Sequence, residues 1–125
     1  MIICDTNILI EFFKDNEIIK EELQKIGIAE LAVSIITVAE LYYGARDKVE
    51  LTRIQKRLLS VRQVGLDLET SAIFLELMSK YVLNHRLSVP DALIAATVLR
   101  HDTALYTLNL KDFKYIPGIK LYPVK

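Results

Sequence analysis

"MIICDTN" (residues 1–7) runs an apolar stretch of strand length straight into Asp5, with Thr6 and Asn7 directly behind it. A buried strand that ends on a carboxylate poses a choice. Asp5 is either a helix cap, or a ligand whose partners lie far along the chain. The stretch that follows, "TNILIEFFKD" (6–15), carries apolar residues at helical intervals, so the acid stands at a strand-to-helix junction.

The same alternation continues along the chain. "NEIIKEELQKIG" (16–27) places Ile18, Ile19, Leu23 and Ile26 on one helical face and stops at Gly27. "LAVSII" (31–36) is a second apolar strand rich in β-branched residues, and "TVAELYYGA" (37–45) is the helix after it. "KVELTRIQKRLLSV" (48–61) brings Val49, Ile54, Leu58 and Val61 near one helical face, and "ETSAIFLELMSKYVLNH" (69–85) is a further amphipathic helix. "PDALIAATVLRHD" (90–102) opens with a proline suited to a first helical turn. "ALYTLN" (104–109) reads as a third strand, and "IKLYPV" (119–124) as a short edge strand, since Pro123 cannot donate to a ladder. Strands that are apolar throughout and alternate with helices predict one α/β domain over residues 1–125. Its sheet is mostly parallel, with four to five strands flanked by helices. In such sheets, ligands bind outside the carboxyl ends of the strands.

Composition narrows the function. The chain has 125 residues, 52% hydrophobic and 26% charged, as in ordinary globular proteins. Sixteen basic and sixteen acidic side chains cancel, so any nucleic-acid partner has to be held by a local patch. Cys4 is the single cysteine, which excludes an intrachain disulfide and a Cys-rich zinc module; inside the first apolar run it reads as a small buried hydrophobe. The chain shows neither a signal-peptide pattern nor an apolar run of about 20 residues, so a soluble, cytoplasmic protein is expected.

Four acids share a setting. Asp5 ends the first strand, Glu40 lies in the helix after the second, Asp91 opens the Ala-rich helix, and Asp112 follows the third strand in "TLNLKDF" (107–113), with Asn109 just ahead of it. Taken singly, each reads first as a cap. Thr37 with Glu40, and Ser88 with Asp91, match the capping-box spacing. Taken together, a parallel sheet gathers all four at one edge, where carboxylates repel one another unless a cation neutralises them. Hard oxygen ligands suit Mg²⁺ or Mn²⁺, and such a site performs phosphodiester hydrolysis well.

"DTN" after the first strand, "AEL..GA" after the second, "DALIAAT" opening a late helix and "TLNLKDF" after the next strand resemble the PIN domain, and within it the VapC-type toxins of toxin–antitoxin pairs. The similarity spans essentially the whole chain, in order and with matching spacing. It implies a metal-dependent endoribonuclease in which Asp5, Glu40 and Asp91 coordinate Mg²⁺ or Mn²⁺. It puts the fourth acid at Asn109 or Asp112; we assign Asp112, with Asn109 a neutral neighbour. Asn7 would orient Asp5 or a water, and Thr107 would act behind them. Water activated at the metal would attack phosphorus and leave a 5′-phosphate and a 3′-hydroxyl. The resemblance also implies an RNA substrate, a homodimer, and a VapB-type antitoxin through which alone DNA is reached. A groove would take the antitoxin's C-terminal segment, with an antitoxin arginine or lysine reaching the acids.

Two further readings stand beside this one: a PIN-like domain that binds RNA or protein without cleaving, and a metal-dependent phosphatase of another α/β fold. The second lacks its D-x-D, because Asn7 stands two residues after Asp5. His85 and His101 lack a zinc spacing, and His101 falls at the negative end of a helix. Arg46, Lys48, Arg53, Lys56, Arg57 and Arg62 outnumber Asp47 and Glu50 in one stretch. This is a solvated helix face or a phosphate-steering patch, in which Arg46, Lys48 and Arg53, together with Arg86 nearer Asp91, are the candidate RNA contacts. Tyr42 and Tyr43 divide into one core residue and one on a partner surface.

Overall fold

The computed structural model describes residues 1–124. Among them, five strands form one parallel sheet: β1 (Ile2–Cys4), β2 (Leu31–Ser34), β3 (Arg62–Val64), β4 (Ala104–Tyr106) and β5 (Lys120–Leu121). The order across the sheet is β3-β2-β1-β4-β5. Helices α1 (Thr6–Phe13) and α2 (Glu17–Ile26) link β1 to β2, and α3 (Ile35–Tyr43) and α4 (Lys48–Leu58) link β2 to β3. Helices α5 (Leu68–His85) and α6 (Val89–Arg100) carry the chain back to β4. The α/β class and the parallel sheet are as the sequence predicts. Among the described residues no helix is long and apolar enough to cross a membrane.

The all-apolar strands have a direct cause, because both faces of the sheet are covered. Ile3, Ala32 and Leu105 point into a core shared with Leu77 of α5 and Ile94, Ala95 and Val98 of α6. Their strand neighbours Cys4, Val33 and Tyr106 point the other way, into a core with Ile8, Leu23, Leu41 and Leu58. Burial, then the nearby Asp5 carboxylate, pushes the Cys4 thiol up to about 12, so it is the inert hydrophobe expected from its place in the strand.

Register positions the site. Cys4 lies level with Val33 on one side and Tyr106 on the other. The next residue along each strand is therefore level too, and Asp5, Ser34 and Thr107 form a buried row at the carboxyl edge. The chain moves outward from β1 to β2 and β3, then returns to place β4 against the other side of β1. The reversal makes β1 and β4 the pair at which a crevice opens in such sheets.

Several local readings are corrected. β3 was not expected: its sequence Arg-Gln-Val exposes Arg62 and Gln63 at the sheet edge, and only Val64 is buried. Ladder pairing to β2, from Ala32–Arg62 to Ser34–Val64, makes it a strand where its side chains do not. Arg62 thus leaves the basic helix face. Ile18 and Val49 point to solvent rather than to the core, as do both Tyr42 and Tyr43. Helix α3 begins at Ile35, inside the run read as strand, because Ser34 caps it by accepting from the Ile36 amide. Thr37 is accordingly not a cap.

After β4, a single 3-10 turn (Leu110–Asp112) carries Asp112, and Phe113, only 1% exposed, pins that turn to the core under α6. Phe113→Ala should lower stability by about 3–5 kcal/mol in urea unfolding, as deletion of a fully buried ring does.

Candidate active site

Each acid reaches the carboxyl edge by a different route. Asp5 is carried by the end of β1, where its amide donates to the Tyr106 carbonyl at 2.8 Å and ties it to β4. The side chain caps α1, with Oδ1 accepting from the Thr6 amide at 2.8 Å. The other oxygen, Oδ2, accepts from the Thr107 hydroxyl at 2.8 Å and from Asn7 Nδ2 at 3.3 Å. Cap and ligand were posed as alternatives; one oxygen caps while the other faces the polar cluster.

Thr107 and Asn7 fix one another as well as Asp5. The Thr107 hydroxyl also accepts from the Asn109 amide at 3.0 Å, and Asn7 Oδ1 accepts from the Leu108 amide at 3.2 Å. Both residues expected behind Asp5 are therefore bonded to it, and through them the segment after β4 is anchored. Asn109 itself is exposed, and its recorded role here is that of a backbone donor.

Glu40 sits in the second turn of α3, deeper in the helix than a first-turn cap. The Thr6 hydroxyl donates to Glu40 Oε1 at 2.7 Å and lies 3.1 Å from the buried Thr37 hydroxyl, which is left to donate back to it. Thr6 and Thr37 were missed as site residues. The signal for Thr6 was its place between Asp5 and Asn7; Thr37 gave none beyond its false capping spacing. Asp91 lies in the first turn of α6, where its amide donates to Ser88 Oγ at 3.2 Å. That is one half of the capping box read from the sequence.

Electrostatics shows that the acids share one space. Burial raises the Asp5 carboxyl above the ordinary range, and Glu40 and Asp112 push it the same way against the bonds from Thr107 and Thr6. Asp91 is raised to about 6, first by burial, then by repulsion from Asp5, Asp112 and Glu40. No cationic side chain among the described residues figures in either balance. Half-buried Asp112 takes part in both interactions, and the exposed Asn109 is neutral. Among the described residues no three His, Cys, Asp or Glu side chains are drawn close enough to hold a metal ion as they stand. The acids thus lie within electrostatic reach of each other in an open arrangement. Hard carboxylate oxygens with uncompensated repulsion are the donor set that a small divalent cation fits.

The basic candidates separate. Arg46 and Arg53 line a groove of about 650 Å³ that also contains Glu40, Glu50, Phe13 and Arg57. There Arg46 pairs with Glu50 at 2.9 Å, and Arg57 lies over the rings of Phe12 and Phe13. Lys48 faces a different hollow, on the outer side of α4 with Val49, Thr52 and Lys56. Arg86 stands apart from these, at the end of α5 in a left-handed conformation with φ of 54°.

The family model of the PIN domain matches residues 2–118. Among solved structures, a toxin–antitoxin complex from Klebsiella pneumoniae has a chain 30% identical, with a TM-score of 0.82, covering 98% of this chain and 97% of that one. VapBC2 from Rickettsia felis, bound to a DNA fragment from its promoter, is 23% identical with a TM-score of 0.86 and full coverage of both chains (100% each). FitAcB from Neisseria gonorrhoeae is 24% identical with a TM-score of 0.81, over 98% of this chain and 97% of that one. No curated protein sequence matches the chain.

Asp91→Asn should stabilise the metal-free protein at pH 7 by on the order of 1 kcal/mol once solvent screening is allowed for, and raise its melting temperature accordingly. The sign follows from linkage. A carboxyl raised from 3.8 to about 6 in the folded state binds its proton more tightly there, so stability is lost as pH rises from about 4 to 6. The dependence of melting temperature on pH across that range should be weaker in the variant than in the parent.

Proposed function

The chain belongs to the PIN domain family, and on that premise we propose that it is a divalent-metal-dependent endoribonuclease, the toxin of a VapBC-type toxin–antitoxin pair. The observation that carries the reading is the placement of Asp5, Glu40, Asp91 and Asp112 at the carboxyl edge of the sheet, near enough together to raise Asp5 and Asp91, with no side-chain cation among the described residues offsetting them. These four carboxylates would hold Mg²⁺ or Mn²⁺. When bound, the ion supplies Lewis acidity toward water and the phosphodiester, and offsets charge on the transferring phosphoryl group.

The chain's own groups do the positioning. Thr107 and Asn7 fix one oxygen of Asp5, and the α1 amide of Thr6 fixes the other. Asp5 is thereby kept from rotating as charge enters or leaves the cleft. Thr6 holds Glu40 from below, and Thr37 holds Thr6. Asp91 lies at the positive end of α6, which favours its ionised form when a cation relieves the repulsion. With no side chain placed as a covalent nucleophile, water is the nucleophile in this reading, and cleavage leaves a 5′-phosphate and a 3′-hydroxyl.

The partners follow from the same reading. The relatives include toxin–antitoxin complexes, and the groove lined by Phe13, Ile54 and Arg46 opens on Glu40. A VapB-type antitoxin segment laid there would bring a basic residue to the carboxylates and displace the metal by neutralising them. DNA would be reached only through that antitoxin. The exposed apolar residues of α5 (Leu68, Leu75 and Leu83) offer area for a homodimer. The setting is cytoplasmic.

Purified, antitoxin-free protein should cut a mixed pool of structured RNAs into discrete fragments with Mn²⁺ or Mg²⁺. EDTA or Asp5→Asn should abolish those fragments. Binding of RNA by folded, metal-replete protein that never yields fragments would overturn the nuclease reading in favour of a non-cleaving PIN-like binding domain.

A further inference from the structure

Beside the acidic crevice stands an aromatic group that the hydrolytic reading does not use. The His85 ring lies on the Tyr115 ring with centroids 3.8 Å apart and planes 4° from parallel, a face-to-face stack. Tyr81 meets both rings edge-on, at 5.8 Å from His85 and 5.1 Å from Tyr115. Tyr81 and Tyr115 are half-buried against the core beneath α5 and α6, which fixes the base of the group. His85 is its exposed outer member, and among the described residues no third ring covers its free face.

The chain places this stack at the edge where the acids gather. His85 is the last residue of α5, and the connection to α6 is so short that Asp91 follows within the first turn. Tyr115 comes three residues after Asp112, beyond the turn that Phe113 pins. Asp91 and Asp112 are also near enough to the Tyr115 hydroxyl to add to the effect of burial in raising it. Arg86 directly follows His85 and precedes Asp91 by five residues along the chain, and its exposed side chain is a cation at a position where φ of 54° would favour glycine. A planar ring with an open face, a cation next to it and carboxylates beyond is the order of groups that meets a base, a phosphate and a scissile bond.

We propose that the exposed face of His85 is a stacking platform for an unpaired nucleobase of the substrate, with Arg86 on the adjoining phosphate. The inference rests on the endoribonuclease reading and adds to it the ring that would receive a base of the substrate. A base within a duplex has both faces covered, so only a splayed or looped-out nucleotide presents a face to His85. Since every base has a π-face, the platform selects strandedness more than sequence. A structural role alone, closing the negative end of α5 and packing Tyr115, would need no particular ring on the RNA side.

The test measures binding without cleavage, in Mg²⁺ with Asp5→Asn protein, using a short single-stranded oligoribonucleotide carrying 2-aminopurine. Stacking should quench the probe in protein with His85 intact, a readout that requires no substitution at the platform. His85→Ala should weaken binding about tenfold and remove the quench, while His85→Phe retains both. An abasic oligonucleotide of equal length should bind parent and His85→Ala alike. Arg86→Gly should melt no lower than the parent and should reduce the salt dependence of binding. Equal binding and equal quenching by parent and His85→Ala, or parent affinity unchanged by base removal, would overturn the platform and leave the RNA reading in place. No binding of any RNA by the parent would overturn both.

Discussion

Repulsion between carboxylates at the end of β1 is the constraint around which this small domain is arranged. Asp5 is buried and close to other acids, and an isolated buried carboxylate is among the least favourable groups a fold can hold. The structure keeps it by two means. Sheet register places Thr107 level with Asp5, so a hydroxyl donor is delivered by the same pairing that builds the core. The start of α1 then supplies an amide to the second oxygen. Asn7, in the same helix start, adds its side-chain amide at 3.3 Å, and none of these donors carries a positive charge. They orient the acid and partly offset its desolvation while leaving its charge for something else to neutralise.

That division explains why hydroxyls and amides, not lysines, surround the acids. A lysine in the crevice would stabilise the free protein and occupy the place that the proposed cation needs. The free protein instead retains part of the strain, visible in the raised Asp91 carboxyl. The two apolar cores that clasp the sheet from both faces supply stability against which a local loss of this size is small. Any ligand that binds only the folded form and brings positive charge, whether metal or antitoxin residue, would then stabilise the fold as it binds.

The sequence disclosed the sheet and its acids because both follow from local chemistry. Apolar runs of strand length announce strands buried on two faces, even where the pattern reads on past Ser34 or Tyr106, and the acid after the first strand is visible as a letter. Where the decisive contact is made by backbone or by distant chain, the letters carry less. β3 is held by ladder bonds to β2 while two of its three side chains are polar and exposed, so no periodicity marks it. Ile18 and Val49 sit beside the buried rows of their helices and look inward by pattern, yet both side chains are largely exposed. Thr37 mimics a capping box in spacing, but its hydroxyl is spent on Thr6, a partner thirty-one positions away in sequence. How far Asn109 and Asp112 are exposed depends on the turn after β4, which the packing of Phe113 fixes and the letters do not show.

The zero net charge of the chain also has a structural reading. A strongly basic protein would attract RNA over its whole surface, and an acidic crevice within it would be neutralised by the nearest cations. Here the charges are sorted. Acids occupy the crevice, arginines line the groove that opens on Glu40, and Arg86 stands at the end of α5, five residues ahead of Asp91 in the chain. An RNA strand repelled by the carboxylates would still find cations flanking them, and its approach to the acids would depend on a divalent ion between the two negative partners. Binding and catalysis would then share one requirement, since the ion that permits the phosphate to enter is the one that activates its hydrolysis.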